Sequence, residues 1–325
     1  MPSRRGRQPH KPRIITFGFL FVASSLWGVT QASEGADLAG TRPSLLSRYS
    51  LNAAHKRSRL PKYLREVSGL ALDSNQQLIL HHDNNARVWR FDTQSERLET
   101  NPLQDLPIKG DFEGIARFNE SIVLSASVGL LKRLDTASQL SSGQSSRQTA
   151  TLHPQDGWIE LPFKHLCNFE GLTIVTHKDR SGTLLMPCKY PRFQEAGAAP
   201  ADDNLIYIFR HSLNPDLSLS SKALQRLAIN ITPVLKAYRL PRLRPSAIEV
   251  TNGRLLILAG KERVLLEIDM QGTLIDWRRL RWLRHRQAEG LTVLADGTLI
   301  IADEGRWLGG TVTQYRPSSA SASAQ

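Results

Sequence analysis

Three segments of this chain share one short pattern: GDFEGIARFN at 110–119, CNFEGLTIVT at 167–176 and RQAEGLTVLA at 286–295. Each places a glutamate and a glycine at the head of an apolar run that reads as a strand. Two weaker copies complete the series. VSGLALDSNQQLIL starts at Val67 with Ser68 in the glutamate's place, and PSAIEVTNGRLLIL starts at Pro245 with Ser246 there. The key positions Ser68, Glu113, Glu170, Ser246 and Glu289 are 45, 57, 76 and 43 residues apart. Repeats of roughly 40 to 50 residues with strands inside each unit mark a β-propeller.

The units agree internally. A short strand follows the key residue, then a turn such as DSNQ, TNG or ADG, then a second apolar strand (LIL, IVL, TLLM, LLIL, TLII). A polar turn and a third strand follow (RVWRF, LLKRL, LIYIF, VLLEI, TVTQY). Asn-Gly and Asp-Gly between β-rich runs are strong hairpin signals. The fold class is therefore all-β, a propeller with five visible repeats; five blades are favoured, and the 76-residue interval leaves room for a sixth. ALQRLAINITPVLKAY (223–238) reads as a helix, and LIDWRRLRWL as a fourth strand. The last unit has no fourth strand of its own. LSRYSL, Leu46 to Leu51, is expected to supply it by pairing with Thr311 to Tyr315, which closes the ring and leaves no long open edge.

The N-terminus sets the compartment. Arg4, Arg5, Arg7, Lys11 and Arg13 precede the uncharged run of residues 14–32, which ends in Thr30-Gln31-Ala32. This is the pattern of a signal peptide cut after Ala32. The expected layout is a signal peptide at 1–32, a linker at 33–43, the propeller at 44–316 and a disordered tail at 317–325. The location is then periplasmic or secreted; the alternative is an anchor in the inner membrane through an uncleaved N-terminal segment, the one membrane contact expected. Without residues 1–32 the formal charge falls from +12 to +7. In an oxidising compartment Cys167 and Cys188 either close a disulfide or stay as buried thiols.

Propeller geometry gathers the key residues. All first strands start at one mouth of the central channel, and the second-to-third turns end there too. Glu113, Glu170 and Glu289 should converge, joined by His82, Asp83, Lys189, Glu304 and Arg306 from those turns. Confined carboxylates raise their own pKa or recruit a cation. Glu113, Glu170, Glu289 and Glu304 are the candidate ligands of a hard ion such as Ca²⁺; the plainer alternative is that each glutamate ties blades through hydrogen bonds or ion pairs. Lys189 and Arg306 are the candidate groups for a small anionic ligand or ester. His82 beside Asp83 pairs a titratable base with a carboxylate, as ester hydrolysis needs. No Gly-x-Ser-x-Gly, P-loop or dinucleotide fingerprint is present. The arginine-rich DWRRLRWLRHR (276–286) fits an exposed outer strand better than a nucleic-acid grip, so no nucleic-acid partner is expected, and the chain is expected to be a monomer.

LREVSGLALDSNQQLILHHDNNARVWRFD, IKGDFEGIARFNESIVLSAS and QAEGLTVLADGTLIIADEG resemble the exported bacterial propellers of the SdiA-regulated family and the related phytase-like, or esterase-like, propellers. The resemblance runs from Ser68 to Tyr315. It implies a site at the channel mouth, in some members holding Ca²⁺, with an ion-binding role for a Glu-Gly glutamate: here Glu113, Glu170 or Glu289. Ser68 and Ser246 depart from that pattern and remove two ligands. Two functions follow: a metal-dependent hydrolase of phosphate or carboxylic esters, or a binding propeller of the cell envelope without chemistry.

Overall fold

Strands that are apolar at every position need cover on both faces. The second strand of each repeat is of this kind, and the fold sandwiches it between two neighbours. In Arg254–Ala259, Leu255 and Ile257 face one core cluster while Leu256 and Leu258 face the next. Leu184 and Leu185 divide in the same way. A computed structural model describes residues 43–99, 104–134, 157–192, 202–305 and 309–318. Within them lie five antiparallel sheets, and five core clusters fill the five gaps between adjacent sheets.

Blade 1 holds Val67–Leu72, Leu78–His82 and Asn85–Asp92, with Arg97–Leu98 and Gln104–Lys109 both pairing the third strand. Blade 2 holds Phe112–Phe118, Ser121–Ala126, Leu130–Leu134 and Trp158–Glu160. Blade 3 has a broken first strand, Cys167–Phe169 and Thr173–Thr176, then Gly182–Pro191, Leu205–Leu213 and Gln225–Asn230. Blade 4 holds Ala247–Thr251, Arg254–Ala259, Val264–Asp269 and Leu274–Arg279. Blade 5 holds Ala288–Val293, Leu299–Asp303, Thr311–Tyr315 and Lys56–Arg59. The inner strands touch in a closed ring, blade 1 to 2, 3, 4, 5 and back to 1.

Four expectations need correction, while the favoured count of five blades holds. The ring is closed by Lys56–Arg59, not by Leu46–Leu51: Lys56 pairs with Gln314 and Arg59 with Thr311. An outermost strand borders solvent, so the charged run KRSR serves where an apolar one was expected. Leu46–Arg48 is instead a 3₁₀ turn that plugs the gap between blades 4 and 5 with buried Leu46. The described residues of the long interval before Ser246 form no sixth blade. They carry the fourth strand of blade 3 and a short helix, Thr232–Tyr238, so only the second half of 223–238 is helical. The fourth strand of blade 4 stops at Arg279; Leu280 turns into the core, and Trp282 and Leu283 are exposed on a loop. Finally, Pro317 bridges Tyr49 and the Ser318 amide donates to the Arg48 carbonyl, so the first two residues assigned to the tail are held.

The expected signal peptide, the linker up to residue 42 and residues 319–325 lie outside the described residues, as does Arg306. Among the described residues no helix is long and apolar enough to cross a membrane. Cys167 and Cys188 are joined, their Cα atoms 5.7 Å apart. The bond ties the first strand of blade 3 to the second and accords with an exported protein.

Candidate functional site

The Glu-Gly pair has a backbone explanation. In blades 1, 2 and 5 the register slips at the key residue: Val67 pairs His82 and Gly69 pairs His81, leaving Ser68 unpaired. Glu113 and Glu289 are skipped in the same way. Each is a β-bulge, which re-aims one side chain, here toward the channel. The glycine that follows allows the inner strands to meet. A Cβ on Gly114 would lie 2.7 Å from the backbone of Gly171, and one on Gly171 2.9 Å from Cα of Ala247. The channel between them is a cavity of about 10 Å³, the room of roughly one water.

Glu113 and Glu170 meet at the mouth and share a hydrogen bond between their side chains. Two carboxylates bond to each other only when one is protonated, and the contact favours the proton on Glu113, raising its pKa and lowering that of Glu170. Burial raises both pKa values above the usual carboxylate range, Glu113 further through the neighbouring Glu170 and Asp111 charges. Lys189 restrains Glu170, with Nζ 2.7 Å from Oε1. Burial is the largest single influence and works against the ammonium, but Glu170, Glu289 and Glu113 together hold the Lys189 pKa up. Burial pushes Glu289 up to about 8, against the pull of Lys189 and with the charge of Glu304 adding to the rise. Glu113, Glu170, Glu289 and Lys189 thus converge, with Glu304 near enough to act on Glu289.

The serines have different roles. Ser68 Oγ donates to Glu113 Oε2 at 3.2 Å and joins the acidic pair. Ser246 Oγ donates to the Ala288 carbonyl at 2.9 Å and accepts from the Gly260 amide at 3.1 Å. It ties blade 4 to blade 5 at a point where a glutamate would have no such fit.

His82 and Asp83 stand apart from this cluster, with Glu66. His82 Nδ1 is 3.0 Å from Asp83 Oδ1, and Nε2 is 3.4 Å from Glu66 Oε2. Among the described residues this is the one group of three or more whose ligand atoms lie within 4.8 Å of one another. It could hold a metal ion. Its donors are one nitrogen and two oxygens, a set that suits a transition metal better than Ca²⁺, which takes six to eight oxygens. At the mouth the donors are all oxygens, but Lys189 already supplies the cation. Neither place fits Ca²⁺ as it stands.

Sequence reasoning missed three features. His81, not His82, is the fully buried histidine: Nδ1 donates to the His82 carbonyl, Nε2 has no partner, and burial lowers its pKa to about 4. His285 is buried between Asp303 and Tyr315. A cleft of about 290 Å³ opens beside Lys189 between blades 3 and 4, lined by Tyr190, Tyr207, Arg242 and Arg244. The Arg244 guanidinium lies over the Tyr190 ring at 5.2 Å, and its Nε is buried without a partner. Tyr190 directly follows Lys189, and that adjacency was the signal available.

No protein-family model matches the chain, and no curated protein matches it in sequence. Solved structures do. The glutaminyl cyclase of Myxococcus xanthus is 13% identical with a TM-score of 0.51, covering 82% of this chain and 96% of its own. A streptogramin B lyase is 11% identical with a TM-score of 0.45, over 80% of this chain and 97% of its own. A luciferin-regenerating enzyme is 11% identical with a TM-score of 0.44, over 81% and 96%. At such identities the likeness is one of fold. The chain is a five-bladed β-propeller, similar to propellers that are enzymes, with carboxyl groups and a lysine gathered at one mouth.

Proposed function

We propose that this protein is an exported propeller hydrolase of the phytase-like or esterase-like type, acting on small anionic phosphate or carboxylic esters at the channel mouth. One observation carries the reading: the Glu113–Glu170 carboxyl pair, raised by burial, abuts Lys189, which also lines the cleft holding Arg244. The anionic group of an ester would rest on Lys189 and the free Arg244 Nε, since guanidinium and ammonium groups are the strong donors to such oxygens. The carboxyl pair would serve as general acid and base, because a carboxyl raised toward neutrality exchanges protons efficiently there. His82 and Asp83, with Glu66, would hold a metal ion or a second base. The Ca²⁺ expected at Glu113, Glu170, Glu289 and Glu304 would require Lys189 to withdraw, and no catalytic step is assigned to it. Arg306 remains a candidate anion contact.

The test is hydrolysis of para-nitrophenyl phosphate and para-nitrophenyl acetate by the purified chain, with and without chelator. Glu170→Gln should lower kcat about 100-fold or more if the carboxyl transfers the proton, and Arg244→Gln should chiefly raise KM. Turnover that survives Glu170→Gln overturns the acid–base role. A second reading has its own support. The channel is nearly filled and Lys189 neutralises Glu170, as in a binding propeller whose glutamates only tie blades together; absence of turnover on every ester would select it.

A further inference from the structure

The loop from Leu280 to Gln287 leads from blade 4 into blade 5. Trp282 and Leu283 on it are 55% and 65% exposed, more than any other large hydrophobic residue described. Leaving such surface in water is unfavourable, and an exposed pair of this kind within a charged rim marks a contact surface. The rim here is basic. Arg281, Arg284 and Arg286 lie on the same loop, and the Arg286 guanidinium covers the Trp282 ring at 5.1 Å.

Leu283 also lines a cleft of about 270 Å³, bounded by this loop, the closing strand Lys56–Arg59 and the residues Asp303, Glu304, Gly305, Gly309 and Thr311. Four arginines face it: Arg57, Arg59, Arg284 and Arg286. None of them forms an ion pair with a carboxylate among the described residues. Among the described residues Arg284 Nη1 and Thr311 Oγ1 are buried there without partners. Asp303, 3% exposed, also lines the cleft. Its Oδ2 accepts from His285 Nδ1 at 2.8 Å, and His285 Nε2 accepts from the Tyr315 hydroxyl at 2.6 Å. Its Oδ1 has no partner among the described residues. A buried oxygen held in place by a rigid relay, yet unbonded, is an acceptor waiting for a donor.

The cleft therefore asks for three things at once: anionic oxygens for the arginines, a hydroxyl for Asp303 Oδ1, and an apolar medium for Trp282 and Leu283. A free phosphate meets the first alone. We propose that this face docks on an anionic phospholipid surface and takes into the cleft a phosphate headgroup that carries a free hydroxyl. Arginine and tryptophan side chains sit favourably at the boundary of water and lipid, charged end outward and apolar body inward. Reversible attachment to a membrane needs a basic patch and an apolar insertion together, and both are present within one loop and its neighbours. Membrane contact by this route is separate from the N-terminal segment. It does not depend on the reading of the channel mouth.

Vesicle sedimentation with the intact chain tests it. Vesicles of equal parts phosphatidylglycerol and phosphatidylcholine should bind the protein, and vesicles of phosphatidylcholine alone should not. Binding should fall as salt rises. Arg57→Gln with Arg59→Gln should weaken it roughly 30-fold, because each cation near an anionic surface contributes about a factor of five. Trp282→Ala with Leu283→Ala should remove most of it while the thermal melt stays that of the parent, since both side chains are exposed. Phosphatidic acid, which has the phosphate without the hydroxylated headgroup, should bind less well. The proposal is overturned by equal binding to both vesicle types or by vesicle binding that neither pair of substitutions reduces. It is also overturned by capture of soluble glycerol phosphate or a single-stranded oligonucleotide without any vesicle binding. Equal binding of phosphatidic acid overturns the headgroup selectivity assigned to Asp303.

Discussion

The channel mouth and the blade 5 cleft handle charge in opposite ways. At the mouth, three glutamates from blades 2, 3 and 5 crowd around one lysine. Burial raises the pKa of all three. At the cleft, four arginines share the lining with Asp303 and Glu304, yet none of the four pairs with a carboxylate among the described residues, and guanidinium cannot shed its charge at any ordinary pH. A carboxyl group tolerates crowding because it can become neutral; an arginine must stay near water or find an anion. The first region is what repetition produces, since the same bulge recurs at the same position of several blades. The second is what closure produces, since it forms where the two ends of the propeller chain are joined and the repeat is broken.

Opening the ring should break both regions together. Deleting Lys56–Arg59 removes the outer strand of blade 5 and exposes the edge of Thr311–Tyr315. The cooperative melt should be lost, as followed by circular dichroism, and vesicle binding with it. A variant that melts like the parent would show that the ring does not depend on this strand. Replacing both cysteines by serine acts on the mouth alone. The bond closes a loop with a sequence separation of 21, so its loss should cost about 3 kcal/mol. It should leave the cleft and its lipid binding intact; Glu304 lines the cleft and acts on Glu289, so a parallel loss of both would show that the two regions are coupled through it.

The smallest effect is a pH dependence that sharpens the contrast. Glu289 titrates near 8 in the folded protein, above its ordinary 4.5. A raised carboxyl contributes stability that is complete below the unfolded value and is lost as pH rises through the folded one. Glu113 and Glu170 act in the same direction. His81 acts in the opposite sense: its folded value of about 4 lies below 6.5, so its contribution grows between those values and is complete above. From pH 6.5 to 8 the carboxyl groups alone among these four should act. The melting temperature should fall across that window, and Glu289→Gln should flatten the fall. Each kcal/mol corresponds to about 2 to 4 °C in a domain of this size. Vesicle binding should not change over the same window, because the arginines do not titrate. A melt as steep in Glu289→Gln as in the parent would mean that Glu289 is already ionised when folded.

Much of this architecture was legible in the chain. Five repeats, three strands in each and the convergence of Glu113, Glu170 and Glu289 follow from local pattern, because a strand's period and a turn's residues are properties of a few neighbours. The pairing of Cys167 with Cys188 was within reach for the same reason: both fall at the same end of adjacent strands in one repeat. What the sequence did not disclose depends on distance along the chain. The closing strand is a charged run whose partner lies some 250 residues later, and nothing apolar marks it. The role of Ser246 as a tie, of Lys189 as the cation of the mouth, and the full burial of His81 beside the nearly buried His82 were decided by how the closed ring packs its blades. The arginine cleft is assembled from Arg57, Arg284 and the segment after Asp303, three stretches with no shared pattern. Periodicity determined the blades because each repeat carries it whole. The charge partners were left to the tertiary structure, because an ion pair or an unpaired buried atom exists only once separate blades have been packed against each other.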